Sequence, residues 1–494
     1  LPSPYAELTE RFARIGAIEG ALAILSWDSA VMMPRGASAG RGEQVATLRR
    51  VAHDLLVAPE VAQLLDAAEA APPLDPWEQA NLAEMRHRHR HAVAVPGRLV
   101  EALERATNAC EMLWRDARAK SDLAALAPSL QQVVDLVREQ AAAKADALGV
   151  APYDALLDLY EPGLTGEDLD ALLAPLPEAI APILEVAAAR GGAAVHPDLP
   201  VTVEDQRKVG RLLLERLGFD FAHGRLDEST HPFCGGVPDD VRLTTRYGEG
   251  HFVQALFGIL HEAGHALYSQ GLPTAWRHQP VGEARGMVVH ESQSLLMEMQ
   301  VCRGPAFLRF LSGVLRDAHG PDPAFTAEAL AATVHRVERG LIRVEADEVT
   351  YPLHIVLRWR LERALLAGEL RVADLPGAWN EQMRALMGVV PPDDRRGCLQ
   401  DIHWPVGAIG YFPCYTLGAL LAAQLAQALR AAVPDLDARI EQGEMAPLLA
   451  WLRANVHGLG RRFGWRELTL RATGRPLQVE PFLAHLRKRY LGAH

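Results

Sequence analysis

Apolar residues recur at intervals of three and four along most of the chain, the period of helices with one buried face. The pattern predicts helices over Tyr5–Leu25, Gly42–Leu56, Pro59–Ala71, Pro76–Arg90 and Pro96–Ala119. It predicts further ones over Pro128–Ala147, Thr165–Ala189, Val203–Leu217, Thr326–Leu366 and Leu417–Ala432. Pro352 is expected to kink or split the Thr326–Leu366 run. Ala71-Pro72-Pro73 and Gly191-Gly192 punctuate the helices. Between Gly218 and Tyr247 the helical period stops, and Gly, Pro and Asp accumulate. There Val241–Thr245 alternates with β-branched residues and is the better of two strand candidates. The fold class is therefore mainly α, with a small β-sheet just before a helix.

At 494 residues the length alone suggests about three domains. No Gly/Ser-rich linker divides the chain and no repeat is evident, so one continuous helical body is expected. Acidic residues (62) outnumber Lys and Arg (50), giving a net charge of −12. That balance argues against nucleic acid or anionic membrane as a partner. The five cysteines are odd in number and widely spaced, which fits a reducing compartment. The first residues lack a basic stretch followed by an apolar one, so a cytoplasmic location is expected. Pro405–Leu429 carries no charge and is long enough for a bilayer, but its prolines, glycines and glutamines favour a buried loop followed by a helix.

The candidate chemistry starts at His261-Glu262-Ala263-Gly264-His265, an HExxH pattern that follows the apolar run Phe252–Leu260. On a helix His261 and His265 fall on one face, one turn apart, and two imidazoles so placed can hold one zinc ion. Glu262 projects beside them, close enough to take a proton from a water on the metal. The helix is expected to end near Gly271-Leu272-Pro273. Tyr268 and Gly271 stand where a metzincin needs Gly and His, which excludes that class. A third ligand is available in Glu291, within the largely apolar run Gly286–Leu296, where an unpaired carboxylate would be costly. The competing partner for Glu291 is an arginine, Arg285 or Arg303. His290 is rotated by about 100° from Glu291 on a helix and is expected to serve beside the site or in the core, not as a ligand. In Arg86-His87-Arg88-His89-Arg90-His91 the alternation scatters the histidines, so a solvated face or a basic patch is expected there and not a metal site.

Six segments in order carry a resemblance to the carboxypeptidase Taq family of metallocarboxypeptidases. They are His231-Pro232-Phe233, Asp240–Thr244 (DxRxT), the HExxH segment, His290-Glu291-Ser292-Gln293, Ile342–Asp347 (IRxxAD) and Gly397–Trp404 (GxxQDxHW). Leu25–Asp28, Met32-Met33-Pro34 and Gly410–Pro413 also look like the family, so the resemblance spans essentially the whole chain.

The resemblance implies a helical body with a deep groove, like neurolysin and angiotensin-converting enzyme, lined by a three-stranded sheet. Residues up to about 200 would build mostly groove wall, and residues from about 201 would carry the metal. It implies a homodimer that removes single C-terminal residues from peptides, with zinc as the metal and cobalt able to replace it. It points to Arg343 as the cation for the substrate's free carboxylate, with Glu345, Asp347 or Glu348 as competing structural partners. Tyr411, Tyr415 and His403 become candidates for stabilising the tetrahedral intermediate, and Arg242 and His231 for contacts on the groove wall. An endo-oligopeptidase or dipeptidyl carboxypeptidase on the same fold, and an inactive metal- or peptide-binding scaffold, are the competing functions.

Overall fold

The computed structural model describes residues 2–72, 74–190, 201–248 and 252–492. Pro73 and the Gly191-Gly192 pair lie outside the described residues. Helices dominate. Those that position the site are α1 (Pro4–Val31), α2 (Pro76–Val93), α3 (Leu123–Leu148), α4 (Pro152–Tyr160), α5 (Phe252–Gln270), α6 (Met287–Leu295), α7 (Tyr351–Ala367) and α8 (Pro413–Ala432). One large core runs through α3 to α8. A smaller one, built on Leu8, Phe12, Val61, Leu65 and Met85, joins the N-terminal helices.

The strands are β1 (Gly224–Glu228), β2 (Phe233–Val237) and β3 (Asp240–Thr245), in the order β1-β3-β2. β3 runs parallel to β1, with Leu226 opposite Leu243, and antiparallel to β2, with Cys234 opposite Leu243. Val241 and Leu243 are buried on the core side, where β3 packs against α5. The strand expected at Val241–Thr245 is thus central in the sheet.

Two helical expectations are corrected. The Thr326–Leu366 run is two helices, Ala327–Val334 and α7, separated by irregular chain that holds the IRxxAD segment. The break lies well before Pro352, which opens α7 in its first turn and does not kink it. The cause is Asp347: its carboxylate accepts the backbone N–H groups of Glu338, Val349 and Thr350 at 2.9–3.0 Å. A side chain that collects N–H groups in this way competes with the helical ladder. Thr165–Ala189 is likewise interrupted, as Gly166–Leu173 and Leu176–Arg190. Pro405–Leu429 is a loop followed by the buried helix α8, as its prolines indicated. All five cysteines are unpaired.

Candidate metal centre and active site

Three helices pack unusually closely to form the centre, and glycine allows it twice. A Cβ on Gly264 of α5 would lie 2.3 Å from the Gln293 carbonyl oxygen of α6. A Cβ on Gly418 of α8 would lie 2.8 Å from Cβ of Glu291. A side chain at either position would clash with α6 at or beside Glu291 and so disturb the placement of its carboxylate.

His261, His265 and Glu291 offer three donor atoms that all lie within 4.8 Å of one another. Nε2 of His261 is 3.9 Å from one Glu291 oxygen, and Nε2 of His265 is 3.4 Å from the other. The second nitrogen of each ring is held from outside. His261 Nδ1 meets Glu298 Oε2 at 2.9 Å, and His265 Nδ1 meets His290 Nδ1 at 2.7 Å. Burial keeps His290 neutral, down to about 3, so its Nδ1 can accept the proton that His265 carries on Nδ1. Each Nε2 is then the nitrogen that faces Glu291, the atom a bound metal would take from each ring.

The electrostatics favour a cation. Burial acts to lower the pKa of His261, but Glu298, Glu291 and Glu262 outweigh it and lift it to about 10. Burial acts to raise Glu291, but His265 and His261 bring it down to about 2. Neither Arg285 nor Arg303 competes for Glu291: Arg285 pairs with Glu84 at 2.8 Å and Arg303 with Glu298 at 2.7 Å. Two imidazoles and one carboxylate, with both outer ring nitrogens occupied, fit zinc with an open fourth position. Glu262 is buried beside them. Burial, then Glu291 and Glu298, raise its pKa against the pull of the two histidines. A carboxyl shifted in that direction is suited to move a proton near neutrality.

A second group stands against Glu291 from the α8 side. Tyr415 of α8, Tyr411 just before it and Tyr351 of α7 are each raised, first by burial and also by the Glu291 charge. Tyr411 packs on Tyr415 at 5.3 Å between ring centroids and on His403 at 5.5 Å. His403 Nε2 lies 3.3 Å from the Tyr415 hydroxyl. The Arg343 guanidinium sits 5.0 Å over the Tyr415 ring. It is bound through Nε and Nη2 to Asp401 (3.0 and 2.8 Å) and through Nη1 to the Tyr351 hydroxyl (3.0 Å). Asp401 also binds Arg358, at 2.7 Å. Two buried guanidiniums thus share one carboxylate and leave a net positive charge. Of the five N–H bonds on Arg343, three are taken in these contacts and two have no hydrogen-bond partner among the described residues.

The structure therefore gathers Glu262, His261, His265 and Glu291 into one cluster, and Arg343, Tyr411, Tyr415 and His403 into its neighbour. It places Arg242 and His231 elsewhere. Arg242 pairs with Asp240 at 2.6 Å and covers the Trp27 ring of α1 at 4.6 Å. The His231 side chain is exposed, and its carbonyl accepts from the Thr244 hydroxyl at 3.2 Å. Between α1, β2 and the end of α5 lies a cavity of about 410 Å³, reaching from Ala23 past Cys234 to His290. Sequence reasoning missed Glu298, Tyr351, Arg358 and the pairing role of Asp401. For Glu298 there was a signal, its spacing of seven residues from Glu291, about two helical turns on one face. The structural partners considered for Arg343 were also wrong, since the carboxylate it meets is Asp401.

The reading of Arg86–His91 is corrected as well. On α2, His87 and His91 are four residues apart and share one oxygen of Asp158 on α4, at 2.6 and 2.7 Å. His89 and His91 are buried, so this is no solvated face.

The carboxypeptidase Taq (M32) metallopeptidase family model matches residues 7–490. Thermostable carboxypeptidase 1 of Thermus thermophilus is 41% identical over 484 residues, covering 95% of this chain and 94% of that one. Carboxypeptidase 1 of Bacillus subtilis is 33% identical, covering 98% and 97%. Among solved structures, Trypanosoma cruzi metallocarboxypeptidase 1 superposes with a TM-score of 0.96 at 38% identity, covering 99% of each chain. The M32 carboxypeptidase from Deinococcus radiodurans gives 0.94 at 35% identity, covering 99% of this chain and 98% of that one. The helical fold with its small sheet is that of these enzymes, and the chain belongs to the carboxypeptidase Taq (M32) family of metallocarboxypeptidases.

Proposed function

We propose that this metallocarboxypeptidase uses zinc to remove single residues from the C-termini of peptides, with broad specificity for the residue released. The observation that carries this is the adjacency of the His261/His265/Glu291 cluster to a buried group of net positive charge around Arg343. A hydrolase that must recognise a free carboxylate needs a fixed cation near its cleavage site, and a planar guanidinium is suited to it. The family relationship supports the breadth of specificity, the replacement of zinc by cobalt and a homodimer. The unpaired cysteines support a cytoplasmic location.

His261, His265 and Glu291 would hold the ion, with Glu298 and His290 fixing the two rings. Zinc, when bound, supplies Lewis acidity toward water and the scissile carbonyl. Glu262 takes the proton of the attacking water on its carboxylate. It then gives a proton to the leaving amine, so one group serves as base and then acid. Arg343 holds the substrate's terminal carboxylate through its two remaining N–H bonds, and Asp401 with Tyr351 keeps its fork in place. Tyr411 and Tyr415 are the donors we assign to the developing oxyanion, with His403 accepting from or donating to Tyr415 behind them. Arg242 and His231 are assigned to peptide contacts on the sheet side.

The test is the product series from a defined peptide followed by mass spectrometry, with and without chelator. Successive loss of single C-terminal residues, stopped by the chelator, is expected. Release of dipeptides, or internal cuts, would replace this reading by a dipeptidyl carboxypeptidase or an endo-oligopeptidase.

A further inference from the structure

Glu161, the residue after the last turn of α4, is fully buried, and nothing in the reaction described above uses it. Its Oε2 accepts the backbone N–H groups of Val288 and Val289, at 3.0 and 3.3 Å. These are the second and third residues of α6, the donors that an N-cap side chain ordinarily satisfies. The residue in the N-cap position is Gly286, which has no side chain to do so. Its lack of a side chain is also what admits Glu161, because a Cβ there would lie 2.5 Å from the Glu161 carboxyl carbon. A residue more than a hundred positions away therefore caps the helix in place of its own first residue.

The capped helix is the one that carries His290 and Glu291. Val288 is three residues before Glu291, so the capped N–H groups lie within a single turn of the ligand. The cap is itself braced. Glu161 Oε1 lies 3.8 Å from Arg285 Nε, and Arg285 is tied to Glu84, which also binds Arg461. The neighbouring Tyr160 packs edge-on against Tyr411 at 5.1 Å. One turn of chain thus fixes both the ligand helix and a member of the tyrosine group. Burial lifts the Glu161 carboxyl to about 7 against the opposing pull of Arg285 and the two N–H groups. Oε2 can accept from both N–H groups whether or not the carboxyl is ionised, so capping does not depend on its charge.

We infer that Glu161 is a positioning residue of the metal centre, which caps α6 from outside and so sets where the Glu291 carboxylate stands. The inference rests on the reading of Glu291 as a metal ligand.

Two conservative variants separate reach from charge. Glu161→Asp keeps the charge facing Arg285 but is too short to reach the two N–H groups without moving α6. Glu161→Gln keeps an acceptor oxygen at the same reach. Zinc affinity is measured by chelator competition, and ligand geometry by the visible spectrum of the cobalt-loaded protein. Glu161→Asp is expected to bind zinc about tenfold more weakly, the lower end of the effect of removing a residue that orients a metal ligand, and to change the cobalt spectrum. Glu161→Gln is expected to stay close to wild type in both. A role in general stability alone would lower the melting temperature without moving the cobalt spectrum. Wild-type zinc affinity and spectrum in Glu161→Asp, or weaker binding in Glu161→Gln than in Glu161→Asp, overturns the inference. Glu291→Gln is measured in parallel. If it holds zinc as tightly as wild type, the ligand reading itself fails. If it loses zinc while Glu161→Asp does not, only the capping inference fails.

Discussion

Two helices in this protein carry histidines four residues apart, and each pair faces a carboxylate from another helix. In both clusters the three donor atoms lie within 4.8 Å of one another. At His261, His265 and Glu291 the facing nitrogens and oxygens stand 3.9 and 3.4 Å apart. At His87, His91 and Asp158 they stand 2.6 and 2.7 Å apart. Ligand atoms bound to zinc at 2.0–2.1 Å in a tetrahedron are separated by about 3.3 Å. The first cluster has room for an ion, and the second is closed by hydrogen bonds.

The surroundings differ in the same sense. The outer nitrogens of the first pair face Glu298 and the neutral His290, and three carboxylates surround the rings. The outer nitrogen of His91 faces the ammonium of Lys144 on α3, at 3.1 Å, and the remaining Asp158 oxygen is taken by the Gly163 N–H. One set of residues collects negative charge around a gap. The other balances one carboxylate against one ammonium and ties α2 and α3 to α4. Histidine spacing is the same in both, so the neighbours decide which pair is suited to hold a metal ion.

Chelation should therefore remove all peptidase activity, and added zinc, or cobalt in its place, should restore it, with one equivalent bound per chain. A second equivalent of comparable affinity would break the comparison. Glu262→Gln should lower kcat by about two to four orders of magnitude while leaving zinc content unchanged, as measured by elemental analysis. Retained turnover would remove Glu262 from the role of base. Arg343→Ala, which removes charge-assisted bonds of about 1.5–3 kcal/mol, should lower kcat/KM for free peptides by about ten- to a hundredfold. It should have little effect on peptides whose C-terminus is already amidated. An equal loss on both would make Arg343 a structural residue.

The smallest effect is expected at the closed cluster. Asp158→Asn should cost about 1–3 kcal/mol of stability and leave zinc content and kcat near wild type. Its pH dependence has a definite sign. Burial acts to raise Asp158, but His87, His91 and the Gly163 N–H hold it well below the ordinary carboxylate range. Its stabilisation is then complete above the unfolded value of about 4 and is lost as the pH falls below it. Asp158→Asn should accordingly show a flatter melting temperature than wild type on acidification below about pH 4. Parallel acid profiles would show that the cluster is not held by this carboxylate.

The legible parts of the site were those with a local signature. The helical spacing of HExxH and the cost of an unpaired Glu291 in an apolar run both act within a few residues. The closed cluster was misread because the eye follows the alternation of Arg86–His91, whereas the helix pairs His87 with His91 and supplies Asp158 from a distant helix. Glu161, Arg358 and Asp401 were silent for a related reason, since each acquires its role from a partner more than forty residues away, whereas Tyr351 meets Arg343 across an irregular stretch whose geometry no helical spacing describes. In the fold, the helical period was informative wherever packing alone shapes the backbone. It failed at residues 335–350, where the Asp347 carboxylate draws N–H groups away from the helical ladder.

The contrast between the two clusters is tested most directly by diffraction from zinc-loaded crystals, with anomalous scattering measured at the zinc edge. One strong peak among His261 Nε2, His265 Nε2 and the Glu291 carboxylate is expected, and none among His87, His91 and Asp158. A peak at the second cluster, or none at the first, would contradict it.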